Sequence, residues 1–288
     1  MNDPQSDAAP ATPATKPEKH GTDWWAEAKG IFWLILAVLG FHSFIAKPFY
    51  IPSESMMPTL LTGDRLVVTK YAYGWSYISP SFHMIPFIHG RLLGRMPERG
   101  DIVIVTPVHQ SADYIKRVIG LPGDTIAMRG GTVILNGKPV QREFRPPIMI
   151  PVDANVPCDE DKLPGRRITG IDGKIYCALP LVRETLPNGV SFNTIDLGEY
   201  PTDEMAPVTI PAGHVFLMGD NRDQSADSRV PAAANGLDGA VPWENLGGRA
   251  EFITFSLDGT TELWNPVSWF TSLRGDRAGT SLRPDKEQ

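Results

Sequence analysis

The sequence predicts a mainly β protein behind a single N-terminal transmembrane helix, and three observations carry that reading. One apolar run near the N-terminus has no ionised side chain over residues 30–46. After it, β-branched and aromatic residues gather in short runs closed by Gly, Pro, Asp or Asn, as strands do. The 288 residues also include 27 prolines and 27 glycines, which favour turns over long helices.

Residues 1–22 are rich in Pro, Ala and Lys with almost no large apolar side chains, the composition of a disordered tail. Residues 23–47 follow as an anchor. Lys29 and Lys47 bracket the uncharged run, whose length is near the lower limit of the about 17–25 residues a span needs. Trp24 and Trp25 at one end, and Phe49 and Tyr50 at the other, suit the two interfaces. A buried core helix would not be apolar on every face directly after a disordered tail. A cleaved signal peptide requires small residues at −3 and −1, yet Phe44 stands two before Ala46. A retained anchor is therefore expected. Lys16, Lys19 and Lys29 before it, against Lys47 and Arg65 after it, place the tail in the cytoplasm and the bulk of the chain outside.

The strands expected next are "DRLVVTKYAYG", "GDIVIVTP", "DYIKRVIGLPGD", "GTVILNGKPV", "GHVFLMGD" and "RAEFITFSLDG". Within the fourth, "LNGK" has the residues of a type I′ hairpin turn. Residues 141–207 lose the pattern among prolines and charges and read as an inserted, less regular subdomain. The core is then left to residues 48–140 and 208–288. The insertion holds both cysteines, Cys158 and Cys177, either two unrelated thiols or one disulfide closing a loop worth roughly 3 kcal/mol. A net charge of -6 argues against nucleic acid as a partner, since phosphate binding needs a clustered basic face.

Three segments bear chemistry. Around Ser55, the residues read alone favour a helix start in which Ser53 or Ser55 caps backbone N–H groups over a nucleophile beside the anchor. Around Lys116, alternation puts Tyr114, Lys116 and Val118 on one strand face and Ile115, Arg117 and Ile119 on the other. Each face carries one cation among apolar neighbours, so the period does not say which is buried. A buried lysine would titrate toward neutrality and become a base. The third segment, "MGDNRDQSADSR" at residues 218–229, is a dense polar turn; counted from Asp223 it lacks the glycine and final acid of a calcium loop. The histidines, including His42, His83, His89, His109 and His214, stand in no triad context.

Taken together, "PSESMMPTLLTGDRLVVTKYAYG", "RGDIVIV", "DYIKRVIGLPGD", "GDNRDQSADSR" and "GGRA", in this order behind an anchor, closely resemble the bacterial type I signal peptidases. The resemblance implies a membrane-bound serine endopeptidase that removes signal peptides from exported preproteins after small residues, in an Ala-x-Ala-like pattern, through an acyl-enzyme. It implies a coiled antiparallel-β catalytic core, Ser55 as nucleophile and Lys116 as general base. Ser53, with the Ser55 backbone N–H, would form the oxyanion hole. Ser225 would hydrogen-bond the lysine, and Asp227 with Arg229 would form a supporting ion pair. Phe49, Ile51, Met56, Leu60, Tyr114 and Ile115 become candidate walls of the substrate subsites. No metal or organic cofactor is implied; the partners are preproteins and the lipid bilayer, and the enzyme would act as a monomer in the bacterial inner membrane. Glu54 stands where the family commonly has glycine, and its side chain is expected to point outward. Competing readings are a dedicated Ser–Lys processing peptidase for one substrate and a non-catalytic, membrane-anchored β scaffold. In the tail, Trp264, Trp269 and Phe270 suggest either a small satellite core or a surface resting in the lipid interface.

Overall fold

The computed structural model describes residues 23–79, 90–110 and 112–286. The expected disordered tail, His83 and His89 lie outside those residues. Two compact units divide after Val38. The first contains most of helix α1 (Trp24–Phe44), 21 residues long, or about 32 Å at the α-helical rise. Asp23 caps it, its Oδ1 accepting the N–H groups of Trp25 and Ala26 at 3.1 and 3.2 Å. The helix is long and apolar enough to cross a membrane. It stops before the expected residue 47, and Ala46 and Lys47 already belong to a strand. Pro48 explains this, because a residue preceding proline is pushed out of the helical region.

The second unit is built of strands. In chain order they are β1 (Ala46–Tyr50), β2 (Asp64–Thr69), β3 (Ile102–Val105), β4 (Tyr114–Gly120), β5 (Thr125–Arg129), β6 (Thr132–Leu135), β7 (Lys138–Pro139) and β8 (Gln141–Pro151). There follow β9 (Arg167–Thr169), β10 (Ile175–Thr185), β11 (Val190–Ile195), β12 (Met205–Thr209), β13 (His214–Met218), β14 (Val241–Pro242), β15 (Leu246–Ser256) and β16 (Asp285–Lys286). Every strand segment expected from the sequence is present. The hairpin at "LNGK" pairs Leu135 with Lys138, with Asn136 and Gly137 both at positive φ as a type I′ turn requires.

Seven strands form the principal sheet in the order β1-β2-β15-β3-β4-β13-β14, each neighbouring pair antiparallel. Its curl comes from β15, which pairs β2 on one side and β3 on the other and shifts register three times. Such bulges bend a strand and raise its twist. Gly248 permits one of them: at φ +150 its backbone passes so near β2 that a Cβ would lie 2.4 Å from the Thr69 carbonyl oxygen. Apolar side chains pack both faces. Ile51, Leu66, Val68, Ile102, Ile104, Ile115 and Ile253 form one cluster, and Val103, Val105, Val118, Val215, Leu217 and Leu246 another.

Residues 141–207 are more ordered than their sequence suggests. β8 and β10 are 11-residue strands paired antiparallel, with β9, β11 and β16 completing a five-stranded sheet. Their ladder breaks between Leu179 and Leu181, where Pro180 faces the stretch holding Pro146 and Pro147. Prolines cannot donate to a ladder, so they mark a bulge here rather than the end of a strand. Cys158 and Cys177 are joined as a disulfide, which secures the segment between β8 and β9 to β10. Strands resume with β12 at Met205, earlier than the expected 208, because β12 extends the β5-β6-β7 sheet.

Candidate active site

Between β1 and β2 the chain reverses through residues 52–63. Ile51 donates its N–H to the Asp64 carbonyl and accepts that of Gly63, so the two strands close the base of the loop. Inside it the backbone makes successive turns, with Met57 N–H to Glu54 O and Leu60 N–H to Met56 O, but no α-helix forms. The capping role open to the two serines therefore has no helix to serve. Their hydroxyls instead lie 3.4 Å apart.

β4 carries Lys116 to the same place. Its Nζ donates to Ser55 Oγ at 2.9 Å and to the Ile115 carbonyl at 3.0 Å. Ser55 is 8% exposed and Lys116 3%. Burial pushes the Lys116 amine down from 10.5 to about 8, against the opposing pull of Asp227 and Asp220 and with a further downward push from Arg229. A serine hydroxyl beside an amine of that pKa has a base in hydrogen-bonding reach.

The segment after β13 closes the site. Asn221 donates its backbone N–H to the Ser55 carbonyl at 3.1 Å and its Nδ2 to the Glu54 carbonyl at 3.2 Å. Gly219 passes so near that a Cβ there would lie 2.2 Å from Ser225 Oγ and 2.4 Å from the Ser55 carbonyl oxygen, and only glycine fits. Asp227 meets Arg229 through both oxygens, at 3.0 and 2.9 Å, and accepts the Gly219 N–H at 2.9 Å. Burial would raise the Asp227 carboxyl; the Arg229 charge and these hydrogen bonds outweigh it and hold the group below its ordinary range. Asp220 pairs with Arg117 through two contacts, at 2.8 and 2.6 Å.

A cleft of about 1040 Å³ opens over the pair, lined by Phe49, Ile51, Ser53, Tyr114 and Ile115 among others. Glu54 belongs to that lining as well. Met56 and Leu60 do not. Both are wholly buried in the apolar cluster under the cleft, because the turns after Ser55 direct the next apolar side chains into the core. Ser225 lies in the buried shell, but among the described residues its Oγ has no hydrogen-bond partner and does not bond Lys116. The roles of Gly219, Asp220 and Asn221 were not read from the sequence. The Gly-Asp-Asn run directly after a strand was their one visible signal.

The family model described as "Signal peptidase, peptidase S26" matches residues 24–255. The chain belongs to that family. Among curated relatives, the signal peptidase I of Rickettsia bellii is 35% identical over 241 residues, 80% of this chain and 73% of the relative. That of Rickettsia prowazekii is 38% identical over 234 residues, 77% of each chain. A crystal structure of a signal peptidase I from Enterococcus faecalis matches with 23% identity and a TM-score of 0.28, over 54% of this chain and 97% of that one. This peptidase, with its N-terminal apolar helix, is membrane-anchored.

Proposed function

We propose that this peptidase cleaves signal peptides from exported preproteins, with Ser55 as nucleophile and Lys116 as general base. The observation that carries the assignment is the 2.9 Å contact between a buried lysine and a serine facing an open cleft. With the amine neutral the contact reverses, and the Ser55 O–H donates to Nζ. Oγ then attacks the scissile carbonyl carbon while Nζ takes its proton. The Ser53 hydroxyl and the Ser55 N–H receive the oxyanion, an interaction typically worth about 3–4 kcal/mol. The ammonium returns the proton to the leaving amine, and an acyl-Ser55 ester remains. Water, deprotonated by Lys116, hydrolyses the ester and regenerates the hydroxyl.

As Ser55 loses its proton, the Lys116 ammonium needs a further acceptor. We assign that role to Ser225 Oγ, which is buried and without a hydrogen-bond partner among the described residues. Phe49, Ile51, Tyr114 and Ile115 give the cleft apolar walls, which suit small side chains in an Ala-x-Ala-like pattern. We read the enzyme as a monomer. Its tail faces the cytoplasm and its β unit the outer side of the bacterial inner membrane, on the lysine bias across α1. Trp264, Trp269 and Phe270 are exposed around a short helix and form a surface for the lipid interface.

An acylating probe and a preprotein test the main reading together. The probe labels Ser55 in the wild type and not in Lys116→Ala, and Ser55→Ala cleaves no preprotein. Full cleavage by either variant would remove the pair from consideration. For the lipid surface, liposome binding falls when the three aromatics are replaced by Ala together; unchanged binding refutes it.

A further inference from the structure

The cleft continues past the Ser55–Lys116 pair, and two parts of its lining differ in origin. One part, with Phe49, Ile104 and Ile115, belongs to the principal sheet, and Phe49 follows the end of α1 by only five residues. The other part comes from the segment between β8 and β9 and includes Pro157, Asp161 and Lys162.

Hydrogen bonds connect this second wall to the nucleophile's own peptide. Asn221, which holds the Ser55 carbonyl, donates its Nδ2 to Gln224 Oε1 at 3.2 Å. Gln224 donates its Nε2 to the Lys162 carbonyl at 3.3 Å. Two side chains thus separate Lys162 from Ser55. The wall is fixed from behind as well. Cys158 is bonded to Cys177 of β10, and Val156, Cys158 and Leu163 are buried in one cluster with Met57 and Leu61 of the Ser55 loop. The side chains of Asp161 and Lys162 remain exposed at the rim.

A substrate held in the bilayer by its apolar segment is taken to meet first the lining given by β1, which follows the anchor directly in the chain. The lining from the segment between β8 and β9 is then free for the residues beyond its scissile bond. We propose that the disulfide-secured segment at residues 157–162 is the subsite for the first residues of the mature chain, with Asp161 and Lys162 setting which charges are accepted there. This rests on the peptidase reading above and extends it to the side of the substrate that the principal sheet does not line.

The test uses the full-length enzyme in detergent and two preproteins that share one signal segment. One carries Lys and the other Glu at the third mature residue. The quantity measured is the ratio of kcat/KM for the Lys substrate to that for the Glu substrate. Asp161→Lys lowers the ratio and Lys162→Glu raises it, each by about fivefold, the scale of one exposed charge contact reversed. Both positions are exposed, so neither change burdens the fold. A ratio identical in the wild type and both variants overturns the subsite while leaving the peptidase reading intact. If the wild type cleaves neither preprotein, the peptidase reading falls and the subsite with it.

Discussion

Lys116 and Arg117 are adjacent on β4, equally buried and of the same formal charge, yet the fold treats them in opposite ways. Arg117 places Nε and Nη2 on the two oxygens of Asp220, gives Nη1 to the Gly100 carbonyl at 2.9 Å, and lies 4.2 Å over the Phe192 ring. Lys116 has a serine hydroxyl, one carbonyl and the Tyr114 ring, and among the described residues no carboxylate in hydrogen-bonding reach. A guanidinium does not give up its proton in a protein, so a buried one must be paired. An amine can give it up, and burial without a paired acid drives it to do so. The nearby acids are already committed, Asp220 to Arg117 and Asp227 to Arg229. One cation of the pair is structure and the other is a base because of where those two acids point.

Removing each cation is the most forceful way to break the comparison. Lys116→Ala lowers kcat by about four to six orders of magnitude, as expected for a group that acts as a unit with its nucleophile. It leaves the unfolding midpoint in urea unchanged or higher, since a costly buried amine is lost. Arg117→Ala does the reverse in stability: it strands the Asp220 carboxylate and costs about 3–5 kcal/mol. Equal destabilisation by the two variants would mean that Lys116 is held by a pairing like that of its neighbour.

The next test concerns the missing partner. If Ser225 Oγ accepts from the Lys116 ammonium only during attack, Ser225→Ala lowers kcat by about tenfold to a hundredfold with little change in KM. Stability does not fall, because the buried hydroxyl has no partner to lose among the described residues. A loss of stability without a loss of kcat would make Ser225 a packing residue.

How much of this contrast was legible in the sequence is visible in β4 itself. Alternation showed one cation per face among apolar residues, and it correctly left undecided which face was buried, because both are. The order of the sequence blocks and the apolar run indicated the anchor and the β class. Other features depended on contacts distant in the chain. Nothing local reports that Asp220 faces Arg117, or that Met56 turns inward while Ser55 faces the cleft. The prolines of β8 and β10 obscured two long strands, since a bulge and a loop use the same residues. The cysteine pairing was open for the same reason: a separation of 19 residues allows a bridge without requiring it.

The titration of Lys116 gives a gentler test. A base with a pKa of about 8 is neutral in about a tenth of molecules at pH 7, so kcat/KM rises about tenfold to a plateau above pH 8. Stability follows with a definite sign. Between about 8 and 10.5 the unfolded chain binds this proton and the folded chain does not, so folding becomes more favourable as pH rises through that window. Lys116→Met therefore stabilises the protein most below pH 8 and progressively less toward 10.5. A pH-independent gain would assign the effect to packing rather than charge.

The smallest effect separates the ring from the burial. Lys116 Nζ lies 5.4 Å from the centre of the Tyr114 ring, within the range in which an aromatic face favours a cation. That attraction resists deprotonation, so Tyr114→Leu, which keeps the site apolar, moves the midpoint of the kcat/KM profile to lower pH by about half a unit. The measurement is the midpoint and not the plateau, because Tyr114 also lines the cleft and its loss changes substrate packing. Its hydroxyl, bonded to Gln110 at 2.6 Å and to the Asn235 carbonyl at 3.0 Å, holds the ring's far edge, and Tyr114→Phe keeps the ring while losing both bonds. A midpoint that moves in Tyr114→Leu but not in Tyr114→Phe assigns the effect to the ring face. A midpoint that moves upward in Tyr114→Leu would mean that Tyr114 desolvates the amine more than it attracts the charge.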